Sequence, residues 1–117
     1  MNFIVIALGG GIGAMLRYGI SLIPVKSIFP FLTLITNLLG ALAIGFVVGL
    51  AAKDNLSERW QLFLKTGVCG GFTTFSTFSL EAWNLIENQH IGLGILYIVL
   101  SITLCLIGVI AGRALAA

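Results

Sequence analysis

The stretch Gly67–Ser79, GVCGGFTTFSTFS, decides how this chain is read. It holds three glycines, five hydroxyl residues and three phenylalanines, yet it lies where a membrane span should run. The uncharged run around it reaches only from Thr66 to Leu80, whereas a helix needs about 20 residues to cross the hydrocarbon core. A short, glycine-interrupted apolar segment is the sequence form of a discontinuous membrane helix. A tilted continuous helix, its hydroxyls bonded back to its own carbonyls, is the other reading.

The rest of the chain supplies the context. Of 117 residues, 59% are apolar and only 9% charged. Soluble domains are nearer a quarter charged, so the composition is that of a membrane protein in one compact domain, residues 1–117. A net charge of +2 is too small and dispersed to suggest nucleic acid. Hydropathy predicts four spans, at about 3–23, 31–52, 62–86 and 91–113. The fold class expected is therefore an all-α membrane protein with the third of four helices broken in mid-membrane. The one strongly charged stretch, Lys53–Lys65, carries Ser57 as a plausible N-cap for the third helix. Nothing in the first run has the basic flank of a cleavable signal. Cys69 and Cys105 have no C-x-x-C spacing and lie in apolar runs, which predicts buried, inert thiols.

A break inside the bilayer frees backbone groups that protein or a polar cavity must satisfy, at several kcal/mol each if they stay unpaired. Freed carbonyls between Gly70 and Thr73 could hold a hard cation, which takes oxygen ligands. The hydroxyls offer O–H donors to an anion. Phe72, Phe75 and Phe78 recur every three residues. Their rings have positive edges and negative faces, so they suit an ion path as well as ordinary packing.

Other polar residues carry two readings each. Asn37 is an amide inside the second span, either glue between helices or a donor on a polar path. Arg17 either snorkels to the interface or draws anions to a pore mouth. Glu81 and Glu87 mark a return to the interface, Trp60 and Trp83 fit an aromatic belt, and His90 sits in a short solvated loop. Gly9, Gly11 and Ala14 imitate a dinucleotide fingerprint. The first acidic residue is Asp54, far beyond the roughly 20 positions that motif allows. The pairs Gly9/Gly13, Gly45/Gly49 and Gly108/Gly112 instead form G-x-x-x-G faces, which predict close helix contacts, a partner subunit among them.

Three segments, GGGIGAMLRY, TNLLGALAIGF and above all GVCGGFTTFSTFS, resemble the Fluc (CrcB) family of bacterial fluoride channels over nearly the whole chain. The resemblance implies a multi-pass protein of the bacterial inner membrane. It would be an antiparallel, dual-topology dimer that passes fluoride passively through pores at the protomer interface. It also implies a structural sodium ion on the dimer axis, held by the Gly70 and Thr73 carbonyls. Phe75 and Phe78 match the pore phenylalanines, Asn37 the pore asparagine, Ser76 and Thr77 a hydroxyl track, Tyr97 a pore tyrosine and Arg17 a vestibule cation.

Basic residues divide as Lys53, Arg59, Lys65 and Arg113 against Lys26 and Arg17. This mild bias leaves both a dual-topology homodimer and pairing with an oppositely oriented homologue open. A small proton-coupled multidrug exporter is the alternative function. It needs a carboxylate at the core of a span, and Glu81 is placed near an end. No nucleophile–base or metal-ligand set points to an enzyme.

Overall fold

A computed structural model describes every residue from Met1 to Ala117. It is helical throughout, with no strand: α1 (Asn2–Ser21), α2 (Phe31–Ala52), α3 (Glu58–Gln61), a π-helix (Leu62–Cys69), α4 (Gly70–Phe72), α5 (Phe75–Glu87) and α6 (Ile91–Leu115). Three of these, α1, α2 and α6, are long and apolar enough to cross a membrane. At 1.5 Å per residue α6 alone is about 37 Å long, enough for a hydrocarbon core of about 30 Å.

The interior is built from backbone rather than from large side chains. Twenty residues are buried, and nine of them are glycine. Large apolar residues such as Leu8, Met15, Leu106 and Ile110 point outward instead. In lipid no hydrophobic force drives helices together, so association comes from close backbone approach over small residues.

Two glycine-faced pairs result. α1 lies against the π-helix and α4, and α2 against α6. A Cβ on Gly13 would sit 2.2 Å from the Val68 carbonyl oxygen, and one on Gly9 2.4 Å from that of Phe63. On the other helix, Gly67 and Gly71 would meet Gly9 and Gly10 backbone in the same way. In the second pair, Gly45 approaches the Val109 carbonyl and Gly112 that of Leu42. All three G-x-x-x-G faces thus pack helix on helix within the protomer, the close contacts that their spacing predicts. The fourth, Gly67/Gly71, answers Gly9/Gly13.

The connections follow from local chemistry. Ser57 caps α3, its Oγ accepting from the Trp60 amide at 3.4 Å. Asp54 and Gln89 take left-handed φ values of 56° and 68° and turn the chain after α2 and α5. α5 packs on α6 around Ala82, Leu85 and Tyr97. This joins the two pairs and sets the start of α5 beside the middle of α2.

Candidate functional site

The helix that runs through the π-segment and α4 stops at Phe72. Thr73 (φ −84°, ψ 156°) and Thr74 (φ −148°, ψ 117°) are extended, and α5 starts at Phe75. Three side chains hold this geometry. Asn37 on α2 clasps Thr74: its Oδ1 accepts from the Thr74 amide at 2.9 Å, and its Nδ2 donates to the Thr74 carbonyl at 3.1 Å. Thr74 in turn caps α5, its Oγ1 accepting from the Thr77 amide at 3.1 Å. Thr73 folds back, with its amide and its Oγ1 both donating to the Cys69 carbonyl at 3.0 and 2.9 Å.

The consequence falls on the carbonyls of the last helical turn. In a continuous α-helix the Thr74 amide would bond Gly70, and the Thr77 amide would bond Thr73. Here the first goes to Asn37 and the second to Thr74 Oγ1. The Gly70 and Thr73 oxygens therefore lose their helical donors. The neighbouring Gly71 carbonyl is served from α1, where Arg17 Nε donates to it at 3.2 Å. Gly40, three residues after Asn37 on α2, makes the approach possible, because a Cβ there would meet Thr73 Cγ2 at 2.1 Å.

Around this break lies an open groove of about 350 Å³, lined among others by Asn37, Gly70, Thr73, Phe75 and Phe78, with Ser101 and Cys105 from α6. Five residues nominated from sequence are therefore brought onto one surface. Phe75 is 79% exposed there, while Phe78 packs against both Phe75 and Tyr97, with ring centroids 5.6 and 5.1 Å away. Arg17 and Thr77 line a separate cleft of about 80 Å³ with Ser21, Thr33, Thr36 and Thr74. Thr74 is the wall common to both. Ser76 is exposed on α5 with its Oγ 3.4 Å from Thr74 Oγ1, and it lines neither cavity. Tyr97 is fully buried between Phe29 and Phe78, and its hydroxyl has no partner.

Several polar residues of this region escaped the sequence reading. Thr74 could have been found as a hydroxyl residue directly ahead of a helix start. Ser101, whose buried Oγ also lacks a partner, stands one turn after Tyr97 on an otherwise apolar helix. Thr33 donates to Glu81 Oε1 at 2.5 Å, so Glu81 is tied to α2. Glu81 also lines a polar cavity of about 360 Å³ with Asn84, Asn88 and His90. Of the two thiols, both free, Cys69 is buried as expected, but Cys105 is only half-buried.

Chemically the groove brings together backbone of the interrupted turn, two phenylalanine rings, and N–H and O–H donors. An amide nitrogen carries two hydrogens. Asn37 uses one on Thr74, which leaves the other for a ligand.

The family model for CrcB-like protein, Camphor Resistance (CrcB), matches residues 4–113. The chain is 46% identical to the Fluoride-specific ion channel FluC of Ruminiclostridium cellulolyticum, over 99% of this chain and 92% of that protein. It is 45% identical to the FluC of Clostridium perfringens, over 97% and 91% respectively. The similarity to FluC 2 of Nitrobacter hamburgensis is 40%, over 98% and 96%.

Proposed function

The chain belongs to the CrcB-like protein family, and from that premise we propose that it is a fluoride-specific channel in which fluoride permeates passively across a bacterial cell membrane. It is a multi-pass membrane protein, with three long apolar helices. In this reading the fourth crossing is the composite of α3, the π-helix, α4 and α5, interrupted in mid-membrane at Thr73 and Thr74. The observation that carries the proposal is the clasp of Asn37 on Thr74. It holds the interruption open and gathers backbone acceptors, an amide donor and two phenylalanines on one groove.

Fluoride is small and strongly hydrated, so its path must replace water with close partners. The free Asn37 N–H and the edges of Phe75 and Phe78 have the right polarity for an anion. Thr77 and Arg17, in the adjoining cleft, would lead from the aqueous side to the shared wall at Thr74. The groove is open on one side, and a single protomer of this size encloses no channel. Pairing with a second, inverted protomer would close it, either a copy of this chain or an oppositely oriented homologue.

A structural sodium ion fits the carbonyls at the break. The Gly70 and Thr73 oxygens are among those whose helical donors are diverted at the break. Two-fold pairing would present each of them twice, and oxygen donors suit a hard cation. A bound cation would offset part of the cost of an anion at mid-membrane.

The exporter alternative needs a carboxylate free to load and release protons. Glu81 lines the polar cavity with Asn84, Asn88 and His90 and not the groove at the break, which favours the channel. Efflux from proteoliposomes tests the proposal: fluoride should leave rapidly, chloride should not, and no proton gradient should be required. Equal fluoride and chloride rates, or fluoride movement only against an imposed proton gradient, would overturn it.

A further inference from the structure

The groove carries a thiol that the ion path does not explain. On α6, Ser101, Cys105 and Val109 recur every four residues and all line the groove, as side chains on one helix face must. Cys105 is half-buried and in no disulfide, whereas Cys69, at the same groove, is 5% exposed. A second feature marks this wall as a place for a ligand. Ser101, one turn away, is only 6% exposed, lines the groove, and has a side-chain oxygen with no hydrogen-bond partner.

We propose that Cys105 is a modification site for small thiophilic cations, methylmercury being the probe of choice, and that the adduct obstructs fluoride passage. This rests on the channel reading above, in which the groove is the wall of the path between protomers. The step balances without an oxidant: the S–H bond and the Hg–Cl bond of methylmercury chloride break, an S–Hg bond forms, the proton and chloride leave to water, and no electron is transferred. The methylmercury adduct is neutral, so the site does not acquire a charge in a low-dielectric wall. Thiol reactivity follows access as well as thiolate character, and access separates Cys105 from Cys69. The added group lies on the same face as Ser101 and on the same groove as Asn37, Phe75 and Phe78.

The test uses the full-length protein in proteoliposomes treated with methylmercury chloride. Two quantities are read: the ratio of treated to untreated fluoride efflux, and the intact mass of the recovered protein. Wild type and Cys69→Ser should lose flux and gain an adduct mapping to Cys105. Cys105→Ser should keep its own untreated rate and gain no adduct at that position. Cys105→Ala, checked by gel filtration, replaces the serine variant should that one fail to assemble. Absence of an adduct on Cys105 overturns the site. An adduct without loss of flux overturns the obstruction. Protein that passes no fluoride before treatment would sink the channel reading, and the mass measurement would still decide the site.

Discussion

Gly40→Ala is the sharpest perturbation of the break, because it adds one methyl group where the structure has no room. The new Cβ would lie 2.1 Å from Thr73 Cγ2. Carbon atoms rest at about 3.5–4.0 Å, so one partner must retreat by roughly 1.5 Å. Thr73 is poorly able to do so. Its amide and its Oγ1 are both committed to the Cys69 carbonyl, and Thr74 beside it is pinned by Asn37 from the same helix as Gly40. Overpacking of this kind costs about 1–3 kcal/mol, equivalent to roughly 5- to 150-fold in the population of the open break. Fluoride efflux per reconstituted protein should fall within that range, and the thermal midpoint in detergent should fall with it. Thr73→Ser removes Cγ2 but keeps the hydroxyl, so the double variant G40A/T73S should recover most of both. Gly11→Ala serves as control, since nothing lies within 4 Å of a Cβ there. Full flux in Gly40→Ala, or a double variant no better than Gly40→Ala, would refute the argument that α2 seats the break at Thr73.

Further expectations concern the other parts of the site. Asn37→Leu strands the Thr74 amide and carbonyl, at about 1–3 kcal/mol for each unpaired group; fluoride flux should drop by more than tenfold, and wild-type flux would dismiss the clasp. Phe75→Ile and Phe78→Ile should both cut flux. Only Phe78→Ile should also lower the thermal midpoint, because Phe78 packs on buried Tyr97 whereas Phe75 is exposed; equal midpoints would contradict that division. Gly13→Val drives a side chain into the Val68 carbonyl, so folded protein should be lost on gel filtration. Exchanging sodium for a bulky organic cation should abolish flux if the Gly70 and Thr73 oxygens hold that ion, and undiminished flux would remove it.

Hydropathy and caps made much of the helical framework legible. The long uncharged runs anticipate α2 and α6 closely, and Ser57 anticipates the start of α3, because these features are local. The widening to a π-helix over Leu62–Cys69 was not legible. That segment is wedged against Gly9 and Gly13 of α1, contacts that no pattern within Leu62–Cys69 encodes. Wide turns of this kind often accompany functional sites, and here one leads directly into the break. The glycine faces were visible as small-residue spacing, but not their pairing, since which face meets which depends on how four segments cross.

The site divides along the same line. By itself the sequence determined that the chain is an apolar helical membrane protein, with a polar, glycine-rich, phenylalanine-rich segment weak enough in helix propensity to come apart. Only the tertiary structure decided where the chain leaves the helix and what replaces the lost bonds. A backbone amide in an apolar setting must find an acceptor. The acceptor for Thr74 comes from Asn37, on another helix, and Gly40 supplies the gap that lets it reach. Spacing along the chain cannot reveal a partner whose position is set by the packing of whole helices.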